Sequence, residues 1–231
     1  MRMRLVLTLA ALAVSSAQAG LVHSYDFTSG VTDLTGTENG SLVAGASVGG
    51  GVLSLDGSGY AEFGTHLIST SGSYSVVLDF RLAGAQSGIH ELISQGSSGG
   101  PGFYIGSGGG NGTTFRVTDS WFNSGVTFPT DILWHQVALV VDGSGGTSTF
   151  YLDGSALGFF GAAIATTTGG SPTRLGAQFG PHGEFFNGEI DNVRIYDSAI
   201  GSGELAGTPE PASFLLMLGA GAFMLARRRK A

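Results

Sequence analysis

Two carboxylates near the C-terminal end of the chain are the residues best placed for acid–base chemistry. Glu189 and Asp191 are separated by Ile190 in a strand-like run, so they would point to the same side of a sheet. Retaining glycoside hydrolysis needs two carboxyl groups about 5–5.5 Å apart. A third acid on this face would be the acid/base partner of the pair. It would stand at position 193 in a regular strand or at 194 in a bulged one, but these positions hold Val193 and Arg194. We therefore expect no enzymatic activity, and a degenerate glycoside hydrolase is the least favoured interpretation.

Histidine and cysteine usage removes other chemistries. The sequence contains no cysteine, which excludes thiolate catalysis, a disulfide framework and cysteine-based metal sites. No pair of histidines has the spacing of a helical metalloprotease motif; the five are His23, His66, His90, His135 and His182.

The charge of the central part of the chain limits its partners. Between residues 20 and 207, four arginines and no lysine stand against 16 acidic residues. Such a surface repels phosphate backbones, so we expect no binding to nucleic acid. It is compatible with neutral sugars and with divalent cations.

Two aromatic clusters are candidate ligand-binding positions. One contains Trp121, and the other contains Phe179, His182 and Phe185 in a Gly- and Pro-containing segment. Exposed aromatic rings beside polar groups are typical of sugar sites. The alternative is that Phe185 or the adjacent Phe186 fills the core, as most single phenylalanines do.

The elements that would position these residues are short strands. Residues 74–82 alternate apolar and polar and predict a half-buried strand, and residues 134–141 and 189–196 predict two more. Residues 52–55 and 60–63 flank Asp-Gly-Ser-Gly at 56–59, which predicts a hairpin, and a second hairpin is predicted around Asp153-Gly154. No convincing helical period occurs between 20 and 207. The pattern predicts an all-β, two-sheet antiparallel jelly-roll sandwich.

Several of these segments together resemble a known family. Tyr-Asp-Phe at 25–27, Leu-Ser-Leu-Asp-Gly at 53–57, the Trp-His segment at 134–143, Phe-Tyr-Leu-Asp-Gly at 150–154 and the Gly-Glu-Ile-Asp-Asn-Val-Arg-Ile-Tyr-Asp segment starting at 188 carry the resemblance. In this order they look like laminin-G-like domains of the concanavalin A-like lectin/glucanase superfamily. The resemblance implies a jelly-roll domain over residues 20–207. It also implies a Ca²⁺ ion, for which Asp26, Asp33 and Asp191 are the candidate ligands.

The N-terminus has the organisation of a secretion signal. A basic Met-Arg-Met-Arg start precedes a ten-residue apolar run, and Ala17 and Ala19 form a small-x-small cleavage pattern. We predict a signal peptide over residues 1–19, which signal peptidase cuts after Ala19.

The C-terminus has a different organisation. Pro209-Glu210-Pro211 precedes an apolar run to residue 226, and Arg227, Arg228 and Arg229 begin a basic tail over 227–231. This arrangement resembles the PEP-CTERM sorting signal of Gram-negative bacteria. The resemblance implies processing by an exosortase-type protease after transient anchoring by a transmembrane helix at about 211–226. An ordinary membrane anchor is the alternative, but its span is usually longer than this run.

These observations lead to one favoured function. We expect an exported, non-enzymatic binding module that is sorted to the cell envelope and then to the cell surface or exopolysaccharide matrix. Its partners would be an extracellular polysaccharide or a surface protein. The alternative is a structural or adhesive matrix protein without a discrete ligand site.

Overall fold

A computed structural model describes residues 20–96, 102–109, 113–117, 122–164, 172–178 and 183–205. Trp121, Phe179 and His182 lie outside these residues, as do the signal peptide and the sorting tail. Within the described ranges, no helix is long and apolar enough to cross a membrane.

The described chain forms 15 strands and one short helix. Their bounds are β1 Leu21–Tyr25, β2 Gly40–Val43, β3 Ala46–Gly49, β4 Val52–Asp56, β5 Tyr60–Phe63, β6 Tyr74–Leu82, β7 His90–Gly96, β8 Gly102–Gly109, β9 Thr114–Val117, β10 Phe122–Thr127, β11 His135–Asp142, β12 Thr147–Leu152, β13 Ser155–Phe160, β14 Thr173–Leu175, β15 Asn187–Tyr196 and α1 Ser202–Leu205.

The strands form two antiparallel sheets that pack face to face. The first sheet has the order β13-β12-β11-β6-β15-β4-β3, with β1 added on β15. The second has the order β10-β9-β8-β7-β14-β5-β2. A continuous apolar core lies between them and includes Tyr25, Leu53, Phe80, Phe103, Phe115, Phe150 and Phe186. The predicted all-β, two-sheet jelly-roll class is confirmed, and Phe186 is the phenylalanine of its pair that enters the core.

The hairpin predicted around Asp153-Gly154 is confirmed. Leu152 pairs with Ser155, so β12 and β13 are joined by a two-residue turn. Asp153 and Gly154 both have left-handed backbone angles, with φ of 50° and 74°. These angles match the turn whose twist suits two antiparallel strands.

The hairpin predicted at residues 56–59 is wrong, although both of its strands exist. β4 pairs with β15 and β3 in the first sheet, whereas β5 pairs with β14 and β2 in the second. The turn therefore crosses the edge of the sandwich. Leu55 and Ala61 both reach the core from opposite sheets, so burial of the apolar positions on both sides favours separation of the two strands.

The half-buried character predicted for β6 is also wrong over its first half. Ser75 and Val77 on the outer face are fully buried, because the segment 197–205 covers them. Ile200 and Leu205 of that segment pack in a second apolar cluster with Val77. The Arg194 guanidinium donates to the carbonyls of Glu204 and Leu205 and holds the segment in place.

Candidate binding surfaces at one end of the sandwich

The predicted carboxylate pair lies on the outer face of β15, where the strand bulges. Asn192 has a left-handed φ of 48°, and the pairing with β6 shifts between Asp191 and Arg194. The burial pattern shows that Val193 points to the core, so Arg194 occupies the outer-face position that a third acid would need. Glu189 is committed to an ion pair with Arg81, with Oε2 and Nε 2.5 Å apart.

Asp191 belongs to a group of acidic residues on the same face. Burial raises the pKa of Asp191, and the carboxylates of Asp79 and Asp26 add to this rise. Asp79 accepts hydrogen bonds from the side chains of Gln136 and Asn192. Asp26 and Asp191, two of the predicted Ca²⁺ ligands, are therefore close enough to repel each other.

Asp33, the third predicted ligand, has a different role. It contacts the His23 ring at 2.6 Å and accepts backbone N–H groups of Ser24, Thr35, Gly36 and Glu38. Although burial opposes the effect, these hydrogen bonds lower the pKa of Asp33. The three predicted ligands do not converge, and the described residues contain no group of three His, Cys, Asp or Glu side chains that could hold a metal. Binding of Ca²⁺ by Asp26, Asp33 and Asp191 stays a prediction.

A cavity of about 380 Å³ opens beside the Arg81–Glu189 pair, and we name it the Arg81 cavity. Ser54, Leu82, Ile132 and Glu189 are among its lining residues. The Trp134 ring lies 5.0 Å from the Arg81 guanidinium carbon and is 41% exposed. The lining of the cavity thus contains one cation and one anion, and an exposed aromatic ring packs on the cation.

The segment 128–134, which carries Ile132 and Trp134, is fastened by a histidine. His135 Nδ1 lies 2.8 Å from Asp153, and Nε2 lies 3.0 Å from Asp131. Burial opposes protonation, but the two carboxylates outweigh it and raise the pKa of His135. The turn at 153–154 and the segment 128–134 are therefore joined through one imidazole.

A second cavity, of about 340 Å³, lies at the same end of the sandwich, and we name it the His90 cavity. It shares Leu82 with the Arg81 cavity and is lined by parts of the segments 83–89 and 128–134. His90 is 7% exposed, and burial lowers its pKa although Glu184 acts in the opposite direction.

The outer face of the second sheet carries a buried ionic cluster. Arg116 donates to Glu91 and, at 2.8 Å, to Glu184. Arg116 and Glu91 are almost inaccessible to solvent, at 2% and 0%. The Arg116 guanidinium also lies 4.7 Å from the Tyr104 ring centroid.

Phe185, a predicted ligand-binding residue, is half-buried on this second face. Its ring stacks against the Tyr60 ring, with the two ring centroids 6.3 Å apart. The Tyr60 ring also contacts Arg174, whose guanidinium carbon lies 4.2 Å from the ring centroid. Phe185 therefore packs within a side-chain stack. It lies apart from both cavities, so the structure does not bring it together with the residues of the Arg81 cavity.

Sequence reasoning missed Trp134, Arg81 and His90 as site residues. Trp134 reads as the start of a strand, and its exposure depends on the segment before it. Asp131 precedes His135 by four residues, but the pairing with Asp153 depends on the neighbouring hairpin. A signal was present in the run Ile-Leu-Trp at 132–134, because three large apolar residues between polar ones sit just before a strand.

Comparisons with known proteins agree with this architecture. A family model described as the concanavalin A-like lectin/glucanases superfamily matches residues 55–206, and a PEP-CTERM protein-sorting motif matches residues 208–230. No curated protein matches the chain.

Among solved structures, one similar chain is domain 4 of AbnA, an extracellular arabinanase from Geobacillus stearothermophilus, in complex with arabinotriose. It is 20% identical with a TM-score of 0.65, over 81% of this chain and 97% of that one. The binding domain of Paraclostridial Mosquitocidal Protein 1 is 16% identical with a TM-score of 0.61, over 80% and 51%. Trypanosoma rangeli sialidase with sialic acid is 15% identical with a TM-score of 0.61, over 81% and 32%. At these identities the likeness shows the fold alone.

Proposed function

Since the chain belongs to the concanavalin A-like lectin/glucanases superfamily and carries a PEP-CTERM sorting motif, we propose that it is a non-enzymatic carbohydrate-binding module of the cell surface or exopolysaccharide matrix. The sorting motif indicates an exported protein that is directed to the cell envelope or surface, and it implies processing by exosortase-type machinery. Transient anchoring by residues 211–226 before processing is part of the proposal.

The Arg81 cavity is the observation that supports binding. Its volume of about 380 Å³ falls within the range of small-molecule sites, which is about 300–1,000 Å³. Trp134 and Ile132 offer apolar surface for the C–H face of a sugar ring. Arg81 offers hydrogen-bond donors and Glu189 offers acceptors, so hydroxyl groups at the ring edge find partners.

Hydrolysis is disfavoured by the same geometry. Among the described residues that line the Arg81 cavity, Glu189 is the one carboxylate, and it is paired with Arg81. Double-displacement chemistry needs a second carboxyl group across the bond to be cut. Arg194, which takes the position of a third acid, is engaged with the carbonyls of Glu204 and Leu205.

Glycan-array binding of the exported protein, with and without Ca²⁺, tests the proposal. We expect Trp134→Ala and Arg81→Met to lower the affinity for the bound glycan by about tenfold or more, or about 1.4 kcal/mol. Phe159→Ala is the matched control, because Phe159 is 72% exposed on β13 and does not line the cavity. Binding that is equally strong in all four proteins, or no binding to any glycan, would reject the assignment.

A structural or adhesive role is the second candidate, and the exposed edge of the first sheet favours it. β13 ends the sheet, lacks charged residues and exposes Leu157 and Phe159. Apolar edge strands of this kind can pair with other chains. Concentration-dependent association that Phe159→Lys abolishes, together with a blank glycan array, would favour this role over sugar binding.

A further inference from the structure

We propose that the His90 cavity is a second binding site, which takes a neutral, multiply hydroxylated ring such as one unit of a saccharide. The proposal rests on the proposed function for the choice of saccharides as ligands. It concerns a different cavity from the Arg81 cavity, whose Arg81 side chain packs on Trp134.

The backbone holds His90, one of the residues that line this cavity, in a fixed position. As the first residue of β7, His90 donates its N–H to the Ser107 hydroxyl at 3.0 Å, and Ser107 donates in turn to the Gly88 carbonyl at 3.1 Å. Ser107 is fully buried. The segment that precedes β7 and the histidine are therefore held in one arrangement.

No described residue hydrogen-bonds to the imidazole of His90, and its ring nitrogens are not among the fully buried side-chain atoms left without a partner, so they keep contact with the open cavity. His90 is 93% removed from solvent, lines the cavity and packs 6.5 Å from the Phe128 ring. These nitrogens can therefore exchange hydrogen bonds with a ligand or a water in the cavity. Burial lowers the pKa of His90, so at neutral pH the ring offers one donor and one acceptor.

The rest of the lining suits a hydroxylated ring. Ser87, Thr127 and Thr130 contribute hydroxyl groups, and Leu82 and Phe128 contribute apolar walls. Gln86 has a different role, since its side-chain amide bonds both backbone groups of Asn187 and fixes the segment 83–89. Alternating hydroxyl and apolar surface matches a sugar, which has polar edges and an apolar face.

Charge selects against acidic ligands. The described residues that line this cavity include no carboxylate, lysine or arginine. The charge that acts on the pKa of His90 is the negative one of Glu184. An anionic sugar would therefore be repelled and would find no cation to pair with, whereas a neutral sugar would not.

The volume of about 340 Å³ limits the ligand to one or two rings. Because the two cavities share Leu82 at the same end of the sandwich, one saccharide chain can reach both. The Arg81 cavity then supplies charged contacts, and the His90 cavity receives a neutral unit.

The test is a titration of the exported, isotope-labelled protein with two sets of methyl glycosides, observed through the His90 ring resonances. The neutral set contains methyl glucoside, galactoside, mannoside and arabinoside, and the acidic set contains methyl glucuronide and galacturonide. We expect at least one neutral glycoside to shift the His90 resonances below about 50 mM, and both acidic ones to bind about tenfold more weakly.

Two variants separate this site from the Arg81 cavity. Thr127 is exposed at the cavity lining, so Thr127→Trp blocks the space at little cost to folding, and Thr35→Trp is the matched exposed control. We expect Thr127→Trp to abolish the His90 shift and Trp134→Ala to leave it unchanged.

Each outcome decides one of the two proposals. Trp134-dependent glycan binding without any His90 shift would overturn the second site and leave the proposed function standing. A His90 shift that is equal for neutral and acidic glycosides, or that survives Thr127→Trp, would also overturn it. Absence of any response from either cavity would overturn both proposals.

Discussion

The two outer faces of the sandwich each carry an arginine–glutamate pair, and the two pairs differ in burial. On the second sheet, Arg116 and Glu91 are 2% and 0% exposed, and Glu184 joins them from the segment before β15. On the first sheet, Arg81 and Glu189 are 43% and 25% exposed and border an open cavity. Residues of the same two types thus occupy environments of very different polarity.

The difference in burial between the two pairs suggests different roles: the buried pair maintains the fold, and the exposed pair can contact a ligand. A buried ion pair is desolvated on both sides, so each charge depends on its partner. An exposed pair contributes little to stability and exchanges its partners readily with water or with a ligand. The Arg116 cluster therefore fastens the segment 183–186 to the second sheet, and the Arg81 pair remains available for binding.

Loss of the buried arginine has the largest expected effect. Arg116→Met leaves Glu91 as an unpaired buried carboxylate and should lower the free energy of unfolding by about 3–5 kcal/mol. Chemical denaturation measures this loss. Arg81→Met is the matched control and should leave the denaturation midpoint unchanged within error.

Replacement of both buried charges sharpens the same comparison. Glu91→Leu combined with Arg116→Met should recover part of the stability that Arg116→Met alone removes, since the fully buried Glu91 charge is gone and only Glu184, which is 12% exposed, loses its partner. Equal losses for Arg116→Met and Arg81→Met would contradict the distinction between the two faces.

A glycine beside the buried cluster gives the next largest effect. A Cβ added at Gly106 would collide with the His90 carbonyl oxygen and lie 2.6 Å from Glu91 Oε2. Gly106→Ala should therefore destabilise the protein by about 1–3 kcal/mol through overpacking. At Gly84, near the open end, a Cβ would meet nothing within 4 Å. A thermal melt of Gly84→Ala should match the unsubstituted protein, and similar melting temperatures for the two variants would argue against tight packing at Gly106.

His135 should make the stability of the protein depend on pH. It lies at the end of the sandwich that carries the two cavities. Asp153 and Asp131 hold its folded pKa above the usual value of about 6.5, despite its burial. The stabilisation is fully present below that value and is lost as the pH rises through the raised pKa. Stability measured from pH 5 to 9 should fall over this range in the unsubstituted protein, and His135→Gln should remove this part of the fall. An unchanged profile in His135→Gln would show that the two contacts do not stabilise the fold.

The smallest expected effect concerns the acids on the first sheet. Because burial and the neighbouring carboxylates raise the pKa of Asp191, its charge opposes folding at neutral pH. Asp191→Asn keeps an oxygen for the Asn192 N–H and should slightly raise the melting temperature without Ca²⁺. If the predicted Ca²⁺ site exists, Ca²⁺ should raise the melting temperature of the unsubstituted protein and not of the variant. A lower melting temperature for Asp191→Asn in chelator would contradict the repulsion.

The sequence was sufficient where structure depends on local pattern. Alternation located β6 and β15, a β-prone run located β11, and the Asp-Gly pair at 153–154 identified a hairpin, since left-handed angles favour these residues. It was insufficient at 56–59, because a turn within one sheet and a turn between sheets can use the same residues. The pairing of two strands depends on partners far along the chain.

The candidate site was harder to predict for the same reason. The Arg81 cavity draws on β4, β6, β15 and the segment before β11, and no spacing in the sequence brings Ser54, Ile132 and Glu189 together. Residue types alone predicted one property of the site. Arg194 stands where an acid would be needed, and this disfavours hydrolysis whether or not the strand bulges at Asn192. The contacts of Asp33 with His23 and four backbone N–H groups also could not be inferred from the sequence, because they depend on how the segment 33–38 folds back on β1.

The hydrogen bonds from Arg194 to the carbonyls of Glu204 and Leu205 in α1 have a mechanical consequence. The sorting motif begins at residue 208, three residues after Leu205, so a pull on the tail reaches the folded domain within about 10 Å of chain. The Arg194 side chain passes this tension to β15, which at this point is paired with β6 on one side and β1 on the other. Tethering strain during export or attachment therefore enters at an interior strand of the first sheet, where many hydrogen bonds share it.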